Sequence, residues 1–122
     1  EQIRVTRVVA AVDCGCIVNP DGLLNQCEGG VIQAVSWALK EQVRFDGTGI
    51  TSLNWEDYPI LRFSEVPAID IELIDRPGEP SVGAGEGMTG PTGAAISNAI
   101  FNAMGVRVRD LPLTFERIVA AM

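Results

Sequence analysis

The chain contains no histidine. That absence removes the commonest metal ligand and the base of Ser-His-Asp and Cys-His catalysis. Cysteine is scarce as well. Cys14, Cys16 and Cys27 form an odd set, and a C-x-C with one distant thiol matches neither a four-ligand zinc or iron–sulfur spacing nor a disulfide scaffold. No metal-ligating side chains are therefore expected, and the thiols should act as small buried hydrophobes. Positive charge is in deficit, with 9 Lys and Arg against 16 Asp and Glu and a formal net charge of −7. No basic stripe is left to neutralise nucleic-acid phosphates. No apolar run approaches the roughly 18–20 residues of a membrane-spanning helix. The first residues, EQIRVTRV, show neither a signal- nor a transit-peptide pattern and no initial Met, which suggests a processed or truncated piece of a longer chain.

What is present fits one domain, 1–122: 122 residues, 47% of them hydrophobic, with a mean hydropathy of +0.21. That is apolar for a chain with no membrane span, so part of the surface is expected to face a partner. Residues 3–12, IRVTRVVAAV, are β-branched and become continuously apolar, as a central strand would. Asn19-Pro20 and Asp21-Gly22 supply a turn and an N-cap. From Leu23 to about Val43, apolar residues at Leu24, Cys27, Val31, Val35, Ala38 and Leu39 keep helical spacing. Gly29 and Gly30 interrupt that helix at about 1 kcal/mol each, which calls for a close approach by backbone or ligand. Phe45–Gly49 reads as a hairpin turn and 50–63 as irregular extended chain. AIDIELI, 68–74, alternates strictly and is the clearest half-buried strand. Pro77, Gly78 and Pro80 force a loop. Pro91 then opens a helix with Ile96, Ala99, Ile100, Ala103 and Met104 on its apolar face and Gly105 at its end. A short VRV precedes a last helix from about Thr114, with Glu116 as a capping partner. Strands do not alternate regularly with helices. The order favours an α+β fold, a small mixed sheet packed against two or three helices.

Between strand and helix lies SVGAGEGMTGPTG, 81–93, five glycines around one carboxylate, Glu86. Gly85–Gly90 matches G-x-G-x-x-G, with Asp110 about twenty residues on. A dinucleotide site, however, needs a tight strand-to-helix turn and a second parallel strand. Here ten loop residues separate the strand from Gly85, and Val106–Arg109 is a short candidate strand. A Walker loop is excluded because no Gly-Lys-Ser/Thr follows. The simplest alternative is a loop with an exposed glutamate. Against it stands placement: a carboxylate flanked by glycines just before a helix N-terminus can meet a ligand closely, near oriented N–H groups.

The stretch G-A-G-E-G-M-T-G-P-T-G-A-A-I-S-N-A-I-F-N-A-M-G-V-R-V-R-D-L-P resembles the C-terminal signature of the molybdenum hydroxylases, the xanthine oxidase and aldehyde oxidoreductase family. Val12-Asp13-Cys14-Gly15, Val18-Asn19-Pro20 and Gln26-Cys27-Glu28-Gly29-Gly30 resemble a second signature. Asp57-Tyr58-Pro59-Ile60-Leu61-Arg62 is most similar to the branch of isoquinoline 1-oxidoreductase large (beta) chains and related aldehyde dehydrogenases. The likeness covers nearly the whole chain.

The resemblance implies the C-terminal part of a molybdopterin-binding large subunit, with molybdopterin, in its cytosine dinucleotide form, holding molybdenum without protein ligands. It implies that Glu86 is the general base in hydroxylation of an aldehyde or N-heterocyclic carbon. Gln26 and Val82, Gly83, Ala84 and Gly85 would lie against the cofactor. Partners would be the rest of the large subunit and a small iron–sulfur subunit. One departure stands out: many members carry Pro after this Glu, where Gly87 stands here. Glu79, in Gly78-Glu79-Pro80, copies the tripeptide but lacks the downstream helix and is assigned to loop. A non-catalytic assembly module of the same fold is the rival reading.

Overall fold

A computed structural model describes residues 2–122. Its elements are β1 (Arg7–Asp13), α1 (Pro20–Leu39), a 3-10 turn at Phe63–Glu65, β2 (Ala68–Ile74), α2 (Thr89–Met104) and α3 (Phe115–Ala120). The α+β expectation holds. Within it the two strands pair in parallel, Arg7 opposite Ala68 through Asp13 opposite Ile74, so the mixed pairing expected is replaced by a parallel one. Parallel neighbours need a long crossover, and α1 with the segment behind it provides the return.

Both strands bury alternate residues. Val8, Ala10 and Val12 of β1 and Ile69, Ile71 and Leu73 of β2 turn to the helices, while Arg7 and Asp70 pair across the outer face at 2.8 Å. β1 is hydrogen-bonded on the β2 side alone among the described residues, so the expectation of a central strand is not met within this chain. It also starts at Arg7 rather than Ile3. Ile3 and Val5 pack on the core without joining the ladder.

α1 begins a turn earlier than its apolar spacing predicts. Asn19 Oδ1 accepts the Gly22 N–H at 2.9 Å and Pro20 takes the first helical position, where a missing N–H costs nothing. It ends at Leu39, short of Val43. α1 packs on both β2 and α2. The fully buried Val31, Val35, Cys27, Leu113 and Ile118 mark the centre of the core.

The 41–63 excursion keeps the expected turn, with Phe45 bridged to Ile50 and the Asp46 N–H bonded to the Gly49 carbonyl at 2.9 Å. It is anchored to the body by Tyr58, whose hydroxyl donates to Glu41 Oε2 at 2.7 Å, and by a Lys40–Glu65 ion pair. Gly105, at φ +73°, closes α2 with its N–H on the Phe101 carbonyl. Val106–Val108 stays irregular, so no second strand follows the glycine loop. Thr114 caps α3 through Oγ1, which accepts the Arg117 N–H at 3.4 Å.

Candidate functional site

The glycine loop is held from behind by the end of β1. Asp13 Oδ1 accepts the Gly15 N–H at 3.0 Å, turning the chain out of the strand. Gly15 then takes φ +77°, a left-handed conformation natural only to glycine. A Cβ there would stand 2.0 Å from the Pro80 carbonyl oxygen, so the 76–82 strap lies directly on Gly15. Two main-chain bonds fasten it: Arg76 N–H to the Gly15 carbonyl at 3.1 Å and Val82 N–H to the Cys14 carbonyl at 2.9 Å.

Arg76 adds a charged clamp. Its guanidinium donates to Asp13 Oδ2 at 3.1 Å and to Glu79 Oε1 at 3.2 Å. The Gly15 N–H, and then Arg76, hold the Asp13 carboxyl below its usual range. Glu79 is thus a loop residue tied to Arg76, in agreement with its assignment from sequence. Neither Arg76 nor Gly15 stood out as a positioning residue in the sequence. The positive φ and the contact across sixty-odd residues that define their roles leave no local pattern.

From Val82 the loop runs over α1. Gln26, on an exposed face of α1, donates its side-chain amide to the Gly85 carbonyl at 2.6 Å. The next carbonyl, that of Glu86, accepts from Thr89 twice, from N–H at 3.2 Å and Oγ1 at 2.9 Å. The main-chain carbonyls on both sides of Glu86 are therefore hydrogen-bonded. The Glu86 side chain is exposed, as are Val82, Gly83 and Gly85, with Ala84 half-buried.

The α1 glycine pair divides by function. Gly30 is buried, and a Cβ there would lie 3.1 Å from Met88 Cβ, so it lets the start of α2 seat on α1. Gly29 meets nothing within 4 Å, and the same is true of Gly83 and Gly85. α1 and the loop therefore present thin, open surface where backbone is accessible.

Cys14 and Cys27 are buried in the core and Cys16 is half-buried. Burial pushes the Cys27 thiol up, with the neighbouring Cys14 adding to the effect. Both buried thiols serve as packing. Among the described residues no cluster of His, Cys, Asp or Glu is arranged to hold a metal ion.

A glutamate between glycines, its main chain held by Gln26 and Thr89 ahead of a helix with Pro91 in its first turn, stands where the two stretches singled out in the sequence come together. Residues 1–67 match the family model of the molybdopterin cofactor-binding domain, and the chain belongs to that family of molybdenum hydroxylases. It is 50% identical over 121 residues to a subunit of nicotinate dehydrogenase from Pseudomonas putida, covering 99% of this chain and 10% of that protein. It is 38% identical to the beta chain of isoquinoline 1-oxidoreductase from Brevundimonas diminuta, covering 91% of this chain and 14% of that one. The crystal structure of quinoline 2-oxidoreductase from Pseudomonas putida 86 superposes with a TM-score of 0.82 at 31% identity, over 97% of this chain and 16% of that chain. The chain thus spans between a tenth and a sixth of the length of these relatives.

Proposed function

We propose that this chain forms the C-terminal part of a molybdenum-dependent hydroxylase large subunit that oxidises aldehydes or N-heterocyclic carbons with oxygen drawn from water. The observation that carries the reading is the glycine-flanked Glu86, on a main chain held by the Gln26 amide at the carbonyl just before it and by Thr89 at its own carbonyl. The surface fits the cofactor class: a pterin can approach main chain at Gly83 and Gly85, where no side chain stands in the way. Val82 to Gly85 and Gln26 would hold the molybdopterin, in its cytosine dinucleotide form, and the metal would be carried by the pterin. When bound, that group supplies the two-electron redox chemistry.

The chain's own residues supply position and a proton acceptor. Glu86 takes a proton onto its carboxylate from the attacking hydroxyl group, so that oxygen becomes nucleophilic as it approaches the substrate carbon. Thr89 and Gln26 hold the peptide on either side of Glu86, so the carboxylate swings from a fixed base. Arg76 and Gly15 keep the strap from drifting. The rest of the large subunit would close the site, and a small iron–sulfur subunit would accept electrons.

Glu86→Gln in the assembled enzyme tests the assignment. Turnover is expected to fall by about 10²–10⁴-fold with molybdenum content retained. Normal turnover in a metal-loaded variant removes Glu86 as the base. An assembly that binds no molybdopterin favours the non-catalytic module.

A further inference from the structure

The open edge of β1 borders a trough. Ala68 N–H donates to the Thr6 carbonyl at 3.0 Å, and with the register of the ladder this turns the main chain of Val8, Ala10 and Val12 toward β2. The main-chain groups of Val9 and Ala11 therefore point the other way, and they have no hydrogen-bond partner among the described residues. Val9 is 67% exposed. Two adjoining open cavities of about 450 and 510 Å³ run along this edge; α2 walls both, and the glycine loop at Gly83, Ala84 and Gly87 closes the end of the first. Ala95, Ala99 and Ala103, spaced four apart along α2, line it with methyl groups. α2 thus overhangs a place beside β1 that no element of this chain fills.

From this geometry we infer that the trough receives a third β-strand, donated by the remainder of the large subunit and hydrogen-bonded to the Val9–Ala11 edge. The inference rests on the proposal that this chain is part of such a subunit. A strand beside β1 lies roughly 4.8 Å away and satisfies alternate main-chain groups. Its residues facing α2 are apolar, because Ala95, Ala99 and Ala103 with Ile96, Ile100 and Met104 make up most of that wall. Relatives run to six or more times the length of this chain, given coverages of 10–16%, so sequence for such a strand is ample. A second copy of this chain fits poorly. Antiparallel pairing of β1 with its copy places a two-fold axis perpendicular to the sheet, and both α2 helices would then compete for space over one seam.

The test is amide hydrogen exchange on the full-length subunit, read residue by residue. The Val9 and Ala11 amides are expected to be protected to within about tenfold of Ala10 and Val12, whereas an open edge would leave them about 100-fold or more faster. The latter result overturns the inference, as does protection that falls on tenfold dilution, which would mark a second copy. Ala99→Trp, which fills the trough, should release Val9 protection while leaving Ala10 slow, and unchanged Val9 protection in that variant also overturns it. A large subunit that lacks molybdopterin yet protects Val9 and Ala11 sinks the functional proposal and supports this one.

Discussion

Replacing Gly15 with alanine tests whether the strap really hangs on the end of β1. A residue with a Cβ at φ +77° carries a left-handed penalty of about 1–2 kcal/mol. The new methyl also meets the Pro80 carbonyl oxygen at 2.0 Å, and a main-chain oxygen cannot rotate out of the way as a side chain could. To restore ordinary contact the strap must retreat by more than an ångström, and that retreat breaks the Arg76 and Val82 N–H bonds to Gly15 and Cys14. Each such bond is worth about 0.5–1.5 kcal/mol. Together these terms put the cost of Gly15→Ala at about 2–5 kcal/mol. Urea denaturation followed by tryptophan fluorescence gives the stability difference, and hydrogen exchange at the Val82 amide reports the strap directly. A variant within about 0.5 kcal/mol of the wild type, with Val82 still protected, would refute the reasoning, since that is the range of ordinary surface substitutions.

The two α1 glycines should respond in opposite senses: Gly29→Ala, in open space, is expected to raise stability by about 0.5–1 kcal/mol, and Gly30→Ala, 3.1 Å from Met88 Cβ, to lose that gain and shift the Met88 resonances. Lys40, and then the Arg62 N–H, hold the Glu65 carboxyl at about 2 against an ordinary 4.5. Because the folded value is the lower one, this stabilisation is complete above pH 4.5 and is lost as pH falls from there toward 2. Glu65→Gln should flatten stability against pH in that window and cost about 1 kcal/mol at pH 7. Gln26→Ala removes the donor on the Gly85 carbonyl; in the assembled enzyme it should lower turnover more than it lowers global stability, which denaturation and steady-state kinetics on one preparation can separate. Asn19→Ala, which deletes the cap on Gly22, should cost about 1 kcal/mol in denaturation.

Much of the fold was legible because the cues are local. The strict alternation of 68–74 became β2 with the same bounds. Gly105 ended α2 as a left-handed cap, and Pro91 lay in its first turn. α1 was misjudged by one turn at each end. Apolar spacing locates a buried face and says little about termini, where Asn19 and Pro20 set the start by capping. The helical spacing did place Cys27, Val31, Val35 and Ala38 inside. Residues 3–5 and 106–108 read as extended chain but lack a ladder partner here, and an extended segment becomes a strand only when another main chain is beside it.

The candidate site divides in the same way. Glu86 and its glycine frame could be picked out by residue type and spacing, since a thin loop ahead of a helix is a local device. The sequence also excluded histidine chemistry, thiol clusters and a basic surface by composition alone. The tertiary structure decided what holds the loop that carries Glu86: Gln26 reaches Gly85 across 59 residues, and Arg76 reaches Asp13 across 63. It also decided that Gly15 must be glycine, through a clash with Pro80, and that Gly30 rather than Gly29 meets a neighbour. Local preference acts through a residue's own dihedrals and its near neighbours. These contacts exist only after distant segments are brought together, so no spacing in the chain encodes them.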